Sequence, residues 1–228
     1  MAFSLNKEIT FDAKKKKKVK LILAAIVVVI ILFFVFQGFF SAYEAERDEL
    51  IIHAGDGGAL IASKDAFHTY LMEYQSTEDN AMKSLWYGVS IGTTAARWAG
   101  FNNWKNSLVY QQGMLMNLEN GLNEFSIKQE KFGSSMGNIT NKDLSPSENL
   151  NQQATEFKRT AGTAILNLRL ENAKLTSEMN TYDPGIDWES ICNIASNHHT
   201  RAGDLISRYY PASYGFDNAA SEFLYVFY

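Results

Sequence analysis

The stretch KKKKKVKLILAAIVVVIILFFVFQGFF, residues 14–40, decides how the whole chain is read. Lys14, Lys15, Lys16, Lys17, Lys18 and Lys20 crowd its start; Leu21 to Phe36 then carries no polar side chain, and Gln37 is the only one before Phe40. A helix rises about 1.5 Å per residue, so roughly 20 apolar residues cover the ~30 Å hydrocarbon core of a bilayer. Residues 19–40 therefore predict a transmembrane helix. The rest of the chain divides around it: a basic tail over 1–18, a stalk with a glycine hinge over 41–58, and a large domain over 59–228.

Charge sets the orientation. Residues 1–20 hold seven lysines against two acidic residues, a net of +5, whereas residues 41–228 hold 14 basic and 23 acidic residues, a net of −9. The positive-inside bias keeps the tail in the cytoplasm, where each basic residue near anionic headgroups is worth about 1 kcal/mol. The lipid bilayer is thus the first expected partner. The acidic body makes nucleic acid an unsuitable one.

A cleaved secretory signal is the competing reading of the same stretch. Signal cores run about 7 to 15 residues before a small-x-small cleavage site. Here the run is longer, and cleavage after Ala42 or Ala45 would place Phe40 or Tyr43 where a small side chain is wanted. A retained anchor is the better expectation. The single cysteine, Cys192, cannot form an intramolecular disulfide, which favours a bacterial inner membrane with a periplasmic domain over an exported, disulfide-bridged one. One glycosylation-type triplet, Asn138-Ile139-Thr140, points weakly the other way and is a chance match in an Asn-rich chain.

Beyond the membrane the apolar residues keep a helical period. Trp104, Leu108, Leu115, Leu118, Leu122, Phe125 and Phe132 follow steps of four and three, with Gln111 and Gln129 filling the gaps. A second seam runs through Leu150, Ala154, Phe157, Ala161, Ala164, Leu168 and Leu175, broken once by Glu171. Two helices of about 30 residues suit an all-α, antiparallel helical-bundle ectodomain. The glutamines on the first seam are placed to set register between helices, as buried polar residues do in coiled coils. Ser145, Pro146 and Glu148 read as a capping box with proline at the first helical position.

Shorter helices fill out the expected fold. Ser63 is read as opening one through Phe67, Tyr70, Leu71 and Tyr74, and Ser76 with Asp79 another through Leu85, Trp86 and Val89. After Asp183-Pro184-Gly185 a further helix passes Trp188, Ile191, Cys192, Ala195, Leu205 and Tyr209 and is expected to stop at Pro211. Gly55-Asp56-Gly57-Gly58 reads as a break that hinges stalk and body, since no Lys-Ser or Lys-Thr follows to make it a phosphate loop. The end of the chain, Phe223, Leu224, Val226, Phe227 and Tyr228, is either a seal for the core or a docking tail.

No catalytic or metal constellation emerges from the spacing. Adjacent His198 and His199 point about 100° apart on a helix and read as polar surface. Cys192 and His199 share a face but stand about 10 Å apart along the axis, too far for a nucleophile and its base, and Cys192 reads as a small buried apolar residue. His53 and His68 stand alone, and the pairs Glu78 with Asp79 and Asp187 with Glu189 suit the first turns of helices. Trp86, Trp98, Trp104 and Trp188 at helical spacing read as core before they read as a ligand pocket.

Over residues 14–53 the lysine-rich leader and apolar helix resemble a type IV pilin in outline, but no Gly precedes the run as a processing site and no Glu lies near its start. One N-terminal anchor carrying a helical domain is similar in outline to LemA-like proteins, none of whose motifs falls on particular residues here. Neither likeness assigns a family. The expectation is a non-enzymatic, cofactor-free scaffold or assembly subunit of a cell-envelope complex such as a secretion or pilus-like machine, with protein partners or copies of itself. A ligand-binding or sensing module that signals through a membrane partner is the alternative.

Overall fold

The structure, a computed structural model, describes the backbone of residues 2–140 and 142–228 and the side chains of 24–140 and 142–228. It is all-helical, with no strand among the described residues. Four helices follow in order: α1 Ala2–Ile91, α2 Thr94–Met136, α3 Ser145–Glu178 and α4 Trp188–Phe227, with a 3₁₀ turn Met179–Thr181 between the last two. The chain divides into two compact units, Met1–Glu49 and Leu50–Tyr228.

In the first unit α1 is long and apolar enough to cross a membrane. Every side chain from 24 to 45 is exposed, and Phe36 and Phe39 are 67% and 72% exposed, so no protein surface covers this run. The lysines 14–18 and 20 lie outside the residues whose side chains are described.

In the second unit consecutive helices run in opposite directions, as their contacts require. From α1 to α4 the pairs are Tyr228 Oη to the Ala54 carbonyl, Lys64 to Asp217, and His68 to Tyr209. Between α2 and α3 they are Gln129 with Asn151, Glu119 with Arg169, and Gln111 with Asn172. Close approach at the α1–α2 turn depends on glycine: a Cβ on Gly88 would stand 2.9 Å from the Ala96 carbonyl, and one on Gly100 2.9 Å from that of Ser84. Gly92 makes the turn itself with a positive φ of 70°, open to glycine at little cost.

Two apolar cores fill this unit. The larger gathers Phe67 and Leu71 from α1, Leu118 and Phe125 from α2, Phe157 from α3 and Tyr209 and Phe216 from α4, among others. Phe157 is its hub, with ring centroids 4.8–5.9 Å from Phe67, Phe125, Tyr209 and Phe216. The smaller core holds Leu85, Trp104, Leu108, Met179, Trp188 and Ile191. Cys192 is half-buried beside it, and burial pushes its thiol up.

Several helix boundaries differ from the sequence reading. α1 does not restart at Ser63 or Ser76, and Gly55-Asp56-Gly57-Gly58 is helical in place of a break. Two of the glycines there admit neighbours: a Cβ on Gly57 would collide with the Phe223 ring and one on Gly58 would stand 2.8 Å from the Tyr228 hydroxyl, while Asp56 is buried and paired with Lys131 at 2.9 Å. Ser145 caps nothing; its N–H and hydroxyl both donate to Asp143, and Pro146 sits in the first turn as expected. α4 runs straight through Pro211, because Ala212, Ser213, Phe216, Ala219, Ala220 and Phe223 beyond it are all buried. That burial outweighs the roughly 3 kcal/mol cost of an internal proline.

Candidate functional site

Between the two cores every helix contributes a buried polar side chain: Glu78 from α1, Gln111 from α2, Asn172 from α3 and His198 from α4, each no more than 2% exposed. On each helix the flanking buried positions are apolar, Tyr74 and Ala81 around Glu78, Leu108 and Met114 around Gln111, Leu168 and Leu175 around Asn172, Ala195 and Ala202 around His198. The layer therefore separates the cores at one level on all four helices. Placing four polar groups there costs several kcal/mol unless they satisfy one another.

They do so only in part. Asn172 donates through Nδ2 to Gln111 Oε1 at 2.9 Å, and Gln111 donates through Nε2 to Glu78 Oε2. Glu78 Oε1, both ring nitrogens of His198, Nδ1 of His199 and the Tyr74 hydroxyl are buried without a hydrogen-bond partner. The spacings around them are too long for hydrogen bonds. His198 Nε2 stands 3.8 Å from Glu78 Oε2, His199 Nδ1 3.5 Å from Glu78 Oε1, and His198 Nδ1 3.8 Å from Glu171 Oε1. His199, 40% exposed in its side chain, turns Nε2 to Asp79 at 3.8 Å. Burial first, then the charges of Glu78 and Glu171, push the Tyr74 phenol well up, so it stays neutral. A groove of about 150 Å³ between α3 and α4, lined by Glu171, Lys174, Glu178 and Arg201, reaches His198 from the surface.

A second buried group lies elsewhere in this unit. His53 is fully buried, stacked on Phe132, with Nδ1 2.8 Å from Ser135 Oγ and Nε2 2.8 Å from Ser147 Oγ. Ser135 spends its hydroxyl proton on the Phe132 carbonyl at 2.9 Å. His53 therefore donates from Nδ1 and accepts at Nε2 from Ser147, a neutral tautomer assigned from the bonding pattern. Desolvation lowers its pKa, against a smaller opposing effect of Asp56. With the serines sealed from solvent, this is a clamp joining α1, α2 and α3.

The chain matches no family model, no curated protein and no solved structure.

Among the seam residues, Trp104, Leu108, Gln111, Leu115, Leu118, Phe125, Gln129, Phe132, Leu150, Phe157 and Leu168 are buried, while Leu122 is partly so. Gln129 donates to Thr155 at 2.7 Å, and Gln111 belongs to the polar layer. The terminal residues divide. Phe223 is buried and Phe227 packs against the core, whereas Leu224, Tyr225, Val226 and Tyr228 are exposed. Several sequence readings change: Trp86 and Trp98 are not core but 49% and 42% exposed, and His68 does not stand alone but lies 3.4 Å from the Tyr209 hydroxyl. His198 is not polar surface but core, because α4 turns it toward α1 and α3; Glu78 lies inside α1 and not in a first turn; and His53 is not isolated. Asn172 and Tyr74 carried no signal in the sequence beyond their helical phase.

Proposed function

We propose that this chain is a membrane-anchored, non-enzymatic helical scaffold, an assembly subunit of a cell-envelope complex. Residues 19–40 hold it in a bacterial inner membrane, the basic tail faces the cytoplasm, and a four-helix bundle stands in the periplasm. The observation that carries this reading is the large aromatic and aliphatic surface left open around the α1–α2 turn. Trp86, Tyr87, Ile91 and Trp98 are 42–66% exposed there, and Ile186 in the loop before α4 is 83% exposed. Trp and Tyr are the side chains that most often anchor protein interfaces. Site-specific photocrosslinking from positions 87 and 98 in native membranes tests the proposal. Recovery of a discrete adduct supports it; the absence of any adduct from either position, together with a monomer in mild detergent, contradicts it.

The polar layer favours a second reading, a ligand-binding or sensing module, because unpartnered buried donors and acceptors are what a ligand would satisfy. Thermal melting against small-molecule mixtures separates the two. A ligand at about 100 times its dissociation constant adds about 2.7 kcal/mol, and an unmoved melting curve with every mixture demotes this reading.

A further inference from the structure

Every charge between Asn80 and Leu118 is positive: Lys83, Arg97 and Lys105 stand there with no acidic residue, a net of +3, although residues 41–228 as a whole carry −9. Residues 175–200 are the reverse, with Glu178, Asp183, Asp187 and Glu189 and no lysine or arginine, a net of −4. The fold brings the two runs to one end of the second unit, where α1 turns into α2 and α3 gives way to α4. A Cβ on Gly88 would stand 3.1 Å from the Trp188 ring, and the Arg97 guanidinium lies 5.8 Å from the centroid of that ring. Among the described residues none of these seven charged side chains pairs with an opposite charge within the chain.

We propose, resting on the scaffold reading above, that the partner at this end is a second copy of the same chain. The two copies meet about a two-fold axis, with the basic α1–α2 hairpin of each seated on the acidic α3–α4 connection of the other.

A two-fold interface is isologous, so whatever one copy's residue touches, the same pair recurs with the copies exchanged. A patch of one sign repels itself under that operation. A patch split into a positive and a negative half matches itself twice, and a partner of either uniform sign would be opposed by one of the halves. Both halves also carry apolar side chains for the centre of the seam. Trp86, Tyr87 and Trp98 on the hairpin are 49%, 66% and 42% exposed, and Ile186 on the connection is 83% exposed. At about 150–250 Å² per buried aromatic, the three rings alone leave roughly 300 Å² to cover. That is more than a third of the ~800 Å² each partner gives to a standard interface, and Val89, Ile91 and Ile186 add to it. The connection is already shaped for docking. Asp183 accepts from the Gly185 N–H at 2.7 Å and Asp187 from the Asp183 N–H at 3.0 Å, so little ordering is left to be done on association.

The test uses the full-length chain in mild detergent, with mass read by light scattering over a dilution series. A dimer is expected. Lys83→Glu sets like charges against the connection and Glu189→Lys sets them against the hairpin, so each alone should weaken self-association at least about tenfold. An equimolar mixture of the two, one of them isotope-labelled, should recover a dimer with one chain of each kind, because in that pair both contacts again join opposite charges. Trp86→Ser combined with Tyr87→Ser should give monomers. All four of these side chains are exposed, so helix content and melting temperature should be kept. A monomeric wild type, single variants that dimerise like wild type, or a mixture that fails to pair overturns the proposal. A monomeric chain whose position 87 crosslinks to a different protein also overturns it while leaving the scaffold reading in place, and a monomer with no adduct at all removes both.

Discussion

His53 Nε2 and Ser147 Oγ lie 2.8 Å apart, closing a bond between α1 and the first turn of α3 across 94 positions of sequence. Ser135 holds the other ring nitrogen at the same distance. His53→Ala would leave the buried Ser147 hydroxyl without its acceptor and open a cavity against Phe132, while Ser135 keeps its bond to the Phe132 carbonyl. Losses of this kind sum to about 3–5 kcal/mol. Urea titration of the detergent-solubilised chain checks it; a loss under about 1 kcal/mol would mean that the clamp carries no strain-bearing role.

The same histidine sets a pH dependence. Burial lowers its folded pKa below the ordinary 6.5, so the unfolded chain binds the proton more readily. Its contribution is fully present above the unfolded pKa and is lost as pH falls toward the folded value. Stability should therefore drop as pH falls below the ordinary histidine value of 6.5, and His53→Gln should drop less. Parallel slopes for the two proteins would rule His53 out as the source.

Gly55 and Gly57, two residues apart and so on opposite faces of α1, should respond in opposite senses. Nothing lies within 4 Å of a Cβ on Gly55, whereas one on Gly57 runs into Phe223, which is 0% exposed. Gly55→Ala should stabilise by about 0.5–1 kcal/mol through helix propensity. Gly57→Ala should be a net loss of about 1 kcal/mol or more, because overpacking exceeds that gain. Thermal melts of the two variants make the comparison, and equal stabilisation by both would restore the flexible-hinge reading of this segment.

Pro211 is exposed inside α4 and withholds an N–H from the Ser207 carbonyl one turn earlier. Pro211→Ala should restore that bond and stabilise by about 1–2 kcal/mol, after the larger entropy of the unfolded chain is discounted. A destabilised variant would mean that α4 needs its proline.

Phe157, on α3, joins aromatic rings from the other three helices. Its truncation to alanine should cost about 3–5 kcal/mol, and Phe157→Leu clearly less. Denaturant midpoints of the two variants measure the difference; near-equal losses would argue that the ring contacts add nothing to volume.

What was legible in the sequence followed from periodicity. The apolar run to Phe40 and the steps of three and four from Trp104 to Phe132 carry their own helical phase, and no tertiary contact was needed to read them. The structure departs from the sequence at boundaries where a tertiary contact overrides a local signal. Gly57 and Pro211 both read as helix breakers, but Phe223 packs on one and the apolar face from Ala212 to Phe223 carries the helix past the other. The polar layer was hidden for a different reason. Glu78, Gln111, Asn172 and His198 come from four helices, and only the folded register brings them to one level. Gln111 alone gave a sign, as a gap in an apolar seam.

The anchor is the claim on which the scaffold reading stands, and its most direct test is alkaline extraction of native membranes followed by intact mass measurement of the protein. The account predicts a full-length chain, with Val19 to Phe40 retained, that stays in the membrane pellet. A soluble species lacking roughly its first forty residues would contradict it.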